Sequence, residues 1–176
     1  MALPIRKKSL IKTERLTIKP YSIQDADGLT GLLTNPSITK TFMVPEFRSP
    51  KQAEELANNL ISFSQVDDTE HLEYGIYLDE RIIGFINDCG IEGDEIEIGY
   101  VIHPDHQGYG YATEAVRAVL QELREMGFHR VTAGCFTENA ASLHVMKKCG
   151  MQQTNMTDEE EYRGVHHICH YYEICF

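Results

Sequence analysis

The residues best placed to do chemistry lie in the stretch HPDHQGYGYATEAV, His103 to Val116. Gly108 and Gly110 accept backbone angles closed to other residues and carry no side chain to block a ligand. Behind them, Thr113-Glu114-Ala115-Val116 opens a run with apolar residues at helical spacing. A glycine-bearing loop that feeds a helix presents unpaired backbone N–H groups, and the helix dipole adds to their pull on an anion. Two known anion cradles do not match. The nucleotide loop G-x-x-x-x-G-K-[ST] has no counterpart, because no lysine opens this helix. The dinucleotide fingerprint G-x-G-x-x-G fails at its third glycine, where Thr113 stands.

Other chemistry-bearing groups flank the loop. The segment EIEIGYVI, Glu95 to Ile102, alternates as a strand and carries Glu95 and Glu97 on one face. Held among Ile96, Ile98 and aromatic neighbours, Glu97 would be driven by burial towards a pKa of roughly 6–7, a range useful to a base. The alternative for either acid is a solvated carboxylate on a strand face. His103, His106 and His144 lie near enough in sequence to serve as acid or base. His166, His167, Cys169 and His170 suggest a metal site at first sight. Strand alternation sends His166 and His170 to one face and His167 and Cys169 to the other, so no four-ligand set forms and no metal is expected.

The positioning elements follow from pattern. ERLTIKPY reads as a first strand through Leu16, Ile18 and Tyr21. Ser22 with Asp25 starts a helix that ends before Asn35-Pro36. Ser49, Pro50 and Gln52 combine an N-cap, a first-turn proline and a capping box for a helix to about Ser64. LEYGIYL and RIIGFINDCGI flank the Asp79-Glu80 turn, and Glu92-Gly93-Asp94 leads into EIEIGYVI. A helix from about Gly108 to Met126 has Ala112, Val116, Val119, Leu120 and Leu123 on its apolar face and Gly127 as its C-cap. RVTAGCF is a strand, NAASLHVMKKC a helix stopped by Gly150, and HHICHYYEICF a closing strand, with one short strand expected near Gln152 to Met156. These elements imply a mixed α/β sheet with helices on its faces.

Bulk properties narrow the functional classes. The 176 residues suit one domain over 1–176 with a core that needs no cross-links. A net charge of −11 argues against nucleic-acid binding, which depends on clustered cations, and is compatible with a cationic substrate. Five cysteines, an odd number without a CxxC pair, indicate reduced thiols and a cytoplasmic location. No stretch approaches the roughly 18–20 apolar residues of a membrane span.

Gln107-Gly108-Tyr109-Gly110-Tyr111-Ala112 reads Q-x-x-G-x-A, which resembles the R/Q-x-x-G-x-G/A signature of the GNAT superfamily of N-acetyltransferases. TENAASLHVMKKCGM resembles that family's second signature. TERLTIKPYSIQDAD and EIGYVIHPDHQGYGYATEAV are similar to the RimJ/RimL-type branch, so the likeness covers nearly the whole chain. It implies a GNAT fold: a central, mostly antiparallel sheet of six to seven strands with about four helices on its faces. It also implies acetyl-CoA as co-substrate, with the pyrophosphate held by the main chain of Gln107, Gly108, Tyr109, Gly110, Tyr111, Ala112 and Thr113. Such binding must come from short-range N–H contacts, since a protein of charge −11 repels a diphosphate at distance.

The resemblance further implies that backbone N–H groups of Tyr100, Val101 and Ile102, freed by a bulge, receive the thioester and pantetheine, with their side chains left to the core. Asn139 would bond the pantetheine arm, and Glu97 would be the base, with Glu95 as fallback. Many members place a Tyr seven residues after that Asn; here the position is Met146. Ser142 is the implied substitute donor to the leaving thiolate. The implied reaction is acetyl transfer to a primary amine, a protein N-terminal α-amine as in RimJ/RimL-like members, with a polyamine or other small-molecule or antibiotic amine as the alternative. The missing Tyr leaves room for a non-catalytic acyl-CoA-binding regulatory module. A homodimer is compatible with the branch.

Overall fold

A computed structural model describes residues 2–176. Eight strands form one sheet: β1 (Ile11–Lys12), β2 (Thr17–Lys19), β3 (Glu73–Leu78), β4 (Arg81–Glu92), β5 (Glu95–Ile102), β6 (Arg130–Phe136), β7 (Gln152–Tyr162) and β8 (Val165–Cys175). Their spatial order is β1-β2-β3-β4-β5-β6-β8-β7. Every neighbouring pair is antiparallel except β5 and β6. The five helices are α1 (Ala26–Thr34), α2 (Pro36–Thr39), α3 (Pro50–Ser64), α4 (Tyr111–Met126) and α5 (Ala140–Lys148).

Local chemistry accounts for the turns. Asp79 and Glu80 both have positive φ, 47° and 64°, the pair of angles that joins two twisted strands through a two-residue loop. Gly127 ends α4 at φ 101°, a left-handed angle that glycine adopts without Cβ strain. The single parallel pair arises because α4 carries the chain across one face between β5 and β6, a crossover only a helix-length connection can make.

Alternation along β5 divides the core in two. Ile96, Ile98 and Ile102 pack with Val116, Val119 and Leu123 of α4 and Met146 of α5. Val101 packs instead with Phe85, Leu29 and Leu32 of α1, and Ala57 and Ile61 of α3. Helices therefore cover both faces, and each buried Leu, Ile or Val contributes about 1.5–3 kcal/mol to holding them there.

The expected class and element order are present, with eight strands where six to seven were expected. The first strand predicted over Glu14 to Tyr21 is reduced to β2, and an unexpected β1 precedes it across a turn in which the Thr13 N–H bonds the Leu16 carbonyl. Two paired residues are too few to show alternation. β7 runs far past Met156, because the turn at Arg163 and Gly164 (φ 52° and 76°) lets its acidic stretch pair with β8. Pro36 starts α2 with Asn35 as its cap rather than simply closing α1. The predicted capping box at Ser49 does not form: the Gln52 Oε1 accepts from the Arg48 N–H at 2.7 Å, and Ser49 makes no side-chain cap. The helix predicted from Gly108 begins at Tyr111, which leaves both glycines in the loop.

Candidate active site

The sheet opens at its parallel pair. β5 and β6 are in register only at Glu95–Arg130, Ile96–Val131 and Glu97–Thr132, while β5 stays paired with β4 as far as Ile102. Beyond Glu97 the two strands diverge, and a cavity of about 490 Å³ occupies the gap. Gly108, Gly110, Tyr111, Ala112 and Thr113 line one end, and Ser37, Thr41, Phe42 and Gly99 line the other. Between them lie Tyr100, Ile102, Cys135, Asn139 and Ser142. The cavity thus passes from the α4 side of the sheet to the α1–α3 side.

Ladder alternation decides which β5 amides face it. The His103 N–H bonds the Ile83 carbonyl at 2.7 Å, and the register runs unbroken from Ile102 to Ile98. Antiparallel pairing alternates, so Val101 and Gly99 bond towards β4 while Tyr100 and Ile102 direct their N–H and C=O groups at the gap. Gln107 confirms the direction by donating from Nε2 to the Ile102 carbonyl at 2.8 Å. Of the three amides expected to serve, Tyr100 and Ile102 face the cavity, whereas the Val101 amide belongs to the ladder. The bulge expected in β5 sits across the ladder instead: the register shift falls between Asp88 and Gly90, leaving Cys89 of β4 unmatched.

The loop is built for close approach. Gly108 and Gly110 sit at φ 84° and 83°, angles a Cβ strains against, and nothing lies within 4 Å of where a Gly108 side chain would begin. Gly110 is the N-cap of α4, whose first amides face the cavity end. Arg15 braces the loop from outside. It forms an ion pair with Glu114 at 2.7 Å, donates from Nη1 to the Tyr109 carbonyl at 2.9 Å, and lies over the Tyr111 ring. Those bonds, with one from Thr13, hold the Glu114 carboxyl below its ordinary range against a partial desolvation. The Tyr109 side chain points to solvent, 61 % exposed. Lys148 is the one lysine or arginine among the described residues lining the cavity.

At the centre, the Asn139 Oδ1 accepts from the Ser142 N–H at 3.2 Å, capping α5, and the Ser142 Oγ lies 2.8 Å from the Tyr100 hydroxyl. Met146 is fully buried in the core. On the far face, Asn87 Oδ1 is buried without a hydrogen-bond partner among the described residues. It stands beside Gly99, where any Cβ would come within 3.0 Å of Asn87, Cys89 and Phe42.

A family model described as an acetyltransferase (GNAT) domain matches residues 15–152. The chain belongs to the GNAT acetyltransferases. It is 31 % identical over 145 residues to the uncharacterized N-acetyltransferase YnaD of Bacillus subtilis (strain 168), covering 81 % of this chain and 82 % of that one. The crystal structure of a GNAT-family acetyltransferase from Bacillus anthracis superposes with a TM-score of 0.78 at 25 % identity, over 94 % of this chain and 98 % of that one. The fold is likewise that of RimL, a ribosomal L7/L12 α-N-protein acetyltransferase solved with coenzyme A: TM-score 0.83, 18 % identity, 94 % and 97 % of the two chains.

In this GNAT enzyme the two carboxylates weighed as base have different surroundings. Glu95 is held at 2.7 Å by Arg130 and is also approached by His129, which ties it to the closed end of the strand pair. Glu97 is half-buried with no such partner, and burial first, then Asp158, pushes its carboxyl above the ordinary value of 4.5. It borders the gap at the last paired position and faces the α1–α3 side with Gly99, outside the residues lining the cavity itself. His106 and His144 line the cavity, whereas His103 caps the turn after it, its Nδ1 accepting from the Asp105 N–H at 3.2 Å. Sequence reasoning missed the Tyr100 side chain by assigning it to the core. It stands on the face of Ile98 and Ile102, three residues beyond Glu97, where the strand borders the gap.

Proposed function

We propose that this enzyme transfers acetyl from acetyl-CoA to a primary amine by direct attack, and that the acceptor is a protein N-terminal α-amine. The observation that carries this reading is the passage through the opened β5–β6 pair. Coenzyme A would enter on the α4 side, its diphosphate on the amides of Gln107 to Thr113 and its pantetheine along β5 and Asn139. The thioester carbonyl would then meet the inward N–H groups of β5, which suit a developing oxyanion.

The acceptor would approach from the α1–α3 side. An amine near pKa 10 is mostly protonated at neutral pH and must lose a proton before attack. Glu97, raised by burial and by Asp158, is suited to take it, directly or through water. The unpartnered Asn87 Oδ1 beside Gly99 is an acceptor suited to an N–H donor at this end. The likeness to RimL over nearly the whole chain supports a peptide N-terminus.

A small cationic amine is the second reading, favoured by the acidic groups Glu97, Asp158 and Glu160 along this side and by the net charge of −11. Thiol release from acetyl-CoA, measured against short peptides with free N-termini, spermidine and an aminoglycoside, separates the two. Turnover with peptides alone supports the first; turnover with spermidine or the aminoglycoside alone replaces it with the second.

A further inference from the structure

We infer that Tyr100 is a positioning residue that aims the Ser142 hydroxyl at the sulfur of the departing coenzyme; this rests on the acetyl-transfer reading above. The position seven residues after Asn139 holds Met146, sealed in the core, so no hydroxyl reaches the cavity from that turn of α5. A phenol arrives instead from the strand. The Tyr100 hydroxyl lies 2.8 Å from Ser142 Oγ and 3.1 Å from the Ser142 carbonyl, and both residues line the gap.

The hydrogen-bond inventory narrows the direction. Tyr100 has one O–H to give. The Ser142 carbonyl lies within α5, where it is the natural acceptor for the amide four residues on, and its contact with the phenol is the longer one. The Ser142 N–H is already given to Asn139. The phenol can donate to either oxygen; given to the nearer Ser142 Oγ, its hydrogen leaves the serine's own for a third partner. Cys135 lines the same cavity, and a sulfur is an acceptor that would suit it. A thioester sulfur threaded through the same gap would offer the equivalent acceptor. A serine hydroxyl alone rotates among three staggered positions; a fixed donor on its oxygen selects the one whose hydrogen faces the gap.

The step balances without ionising the tyrosine. As the tetrahedral adduct collapses, the C=O bond re-forms, the C–S bond breaks and its electron pair moves to sulfur. The Ser142 hydrogen bond stabilises that thiolate, and the proton lost from the attacking nitrogen ends on the sulfur as the free thiol. Tyr100 keeps its proton throughout, consistent with burial raising its pKa above the ordinary tyrosine value.

Tyr100→Phe removes the hydroxyl and keeps the ring, so packing survives. Thiol release is followed with acetyl-CoA and a serine-leading hexapeptide, or spermidine where the peptide gives no turnover. The expected result is a kcat lowered about tenfold with the KM for acetyl-CoA little changed. In a Ser142→Ala background the same substitution costs under about twofold more, since two groups acting as one unit are not additive. With the selenoester of coenzyme A, whose selenol leaves as a stable anion, the Tyr100→Phe loss shrinks. Equal losses in both backgrounds, or an undiminished loss with the selenoester, overturn the inference while wild-type turnover leaves acetyl transfer standing. A wild-type protein that neither binds acetyl-CoA nor releases its thiol overturns both.

Discussion

The two halves of β5 have the same neighbours in the chain and opposite fates. From Glu95 to Glu97 the strand is paired on both edges, and Arg130 ties it to β6 and β8 through Glu95 and Glu173 at 2.7 Å each. From Ile98 to Ile102 it keeps β4 but loses β6, and its outward amides line a cavity. In the first half charge is spent on neutralising charge. In the second, polar groups are held without full satisfaction: Asn87 Oδ1 lacks a partner among the described residues, and the Tyr100 and Ser142 hydroxyls chiefly have each other. A sheet that is closed at one end and open at the other acquires a rigid slot, because the closed end fixes where the open end lies.

That contrast can be broken first where it should matter most. Replacing Glu97, at the boundary, with Gln is expected to lower kcat about a hundredfold, the ordinary scale for losing a general base, with acetyl-CoA affinity by calorimetry nearly unchanged. Ser142→Ala, inside the open half, should cost about tenfold in kcat on the same terms. Turnover unaltered in both removes these residues from the mechanism. Valine at Gly108 and Gly110 together should weaken acetyl-CoA binding by about tenfold or more, since each site demands a left-handed angle that costs roughly 1–2 kcal/mol for a residue with a Cβ. Calorimetry that finds the affinity intact would mean the main-chain loop does not grip the diphosphate.

The pH dependence sharpens the same boundary. A Glu97 base would work only when ionised, so the acid limb of kcat/KM should rise through a pKa above 4.5. Asp158→Asn, by removing the negative charge that adds to burial, should move that limb to lower pH; an unmoved limb would assign it to another group. The sign for stability is opposite to that of a salt-bridged acid. A folded carboxyl that holds its proton more tightly than the unfolded one stabilises the fold below the unfolded pKa, and that contribution is lost as pH rises through the folded value. Glu97→Gln should therefore leave the melting temperature at pH 7 no lower than in the wild type. The smallest effect belongs to the closed half: Glu95→Gln loosens a partly exposed pair worth under about 1 kcal/mol, lowering Tm slightly while kcat holds.

Much of this organisation was readable before any coordinates. The span of β5 matched residue for residue, and the Asp79-Glu80 turn, the Gly127 cap and the glycine loop ahead of α4 all followed from spacing, because each depends on neighbours a few residues away. What escaped was contact across the sheet. Gln52 took the Arg48 amide rather than closing a box with Ser49, and the acid-rich stretch of β7 carried no strand pattern because both its faces are largely exposed. Tyr100 looked like core because nothing local distinguishes a buried phenol from one that reaches a serine 42 residues away.

Sequence alone determined the order of elements and the glycine loop ahead of α4, which are encoded in short-range periodicity and in glycine's backbone freedom, and motif resemblance pointed to the family. Only the tertiary structure decided where β6 leaves β5, which amides then face the gap, and which hydroxyl stands beside Ser142. Those outcomes depend on two strands joined by α4 sharing three residues of register and no more, and a register between distant segments is settled by packing, not by neighbours in the chain.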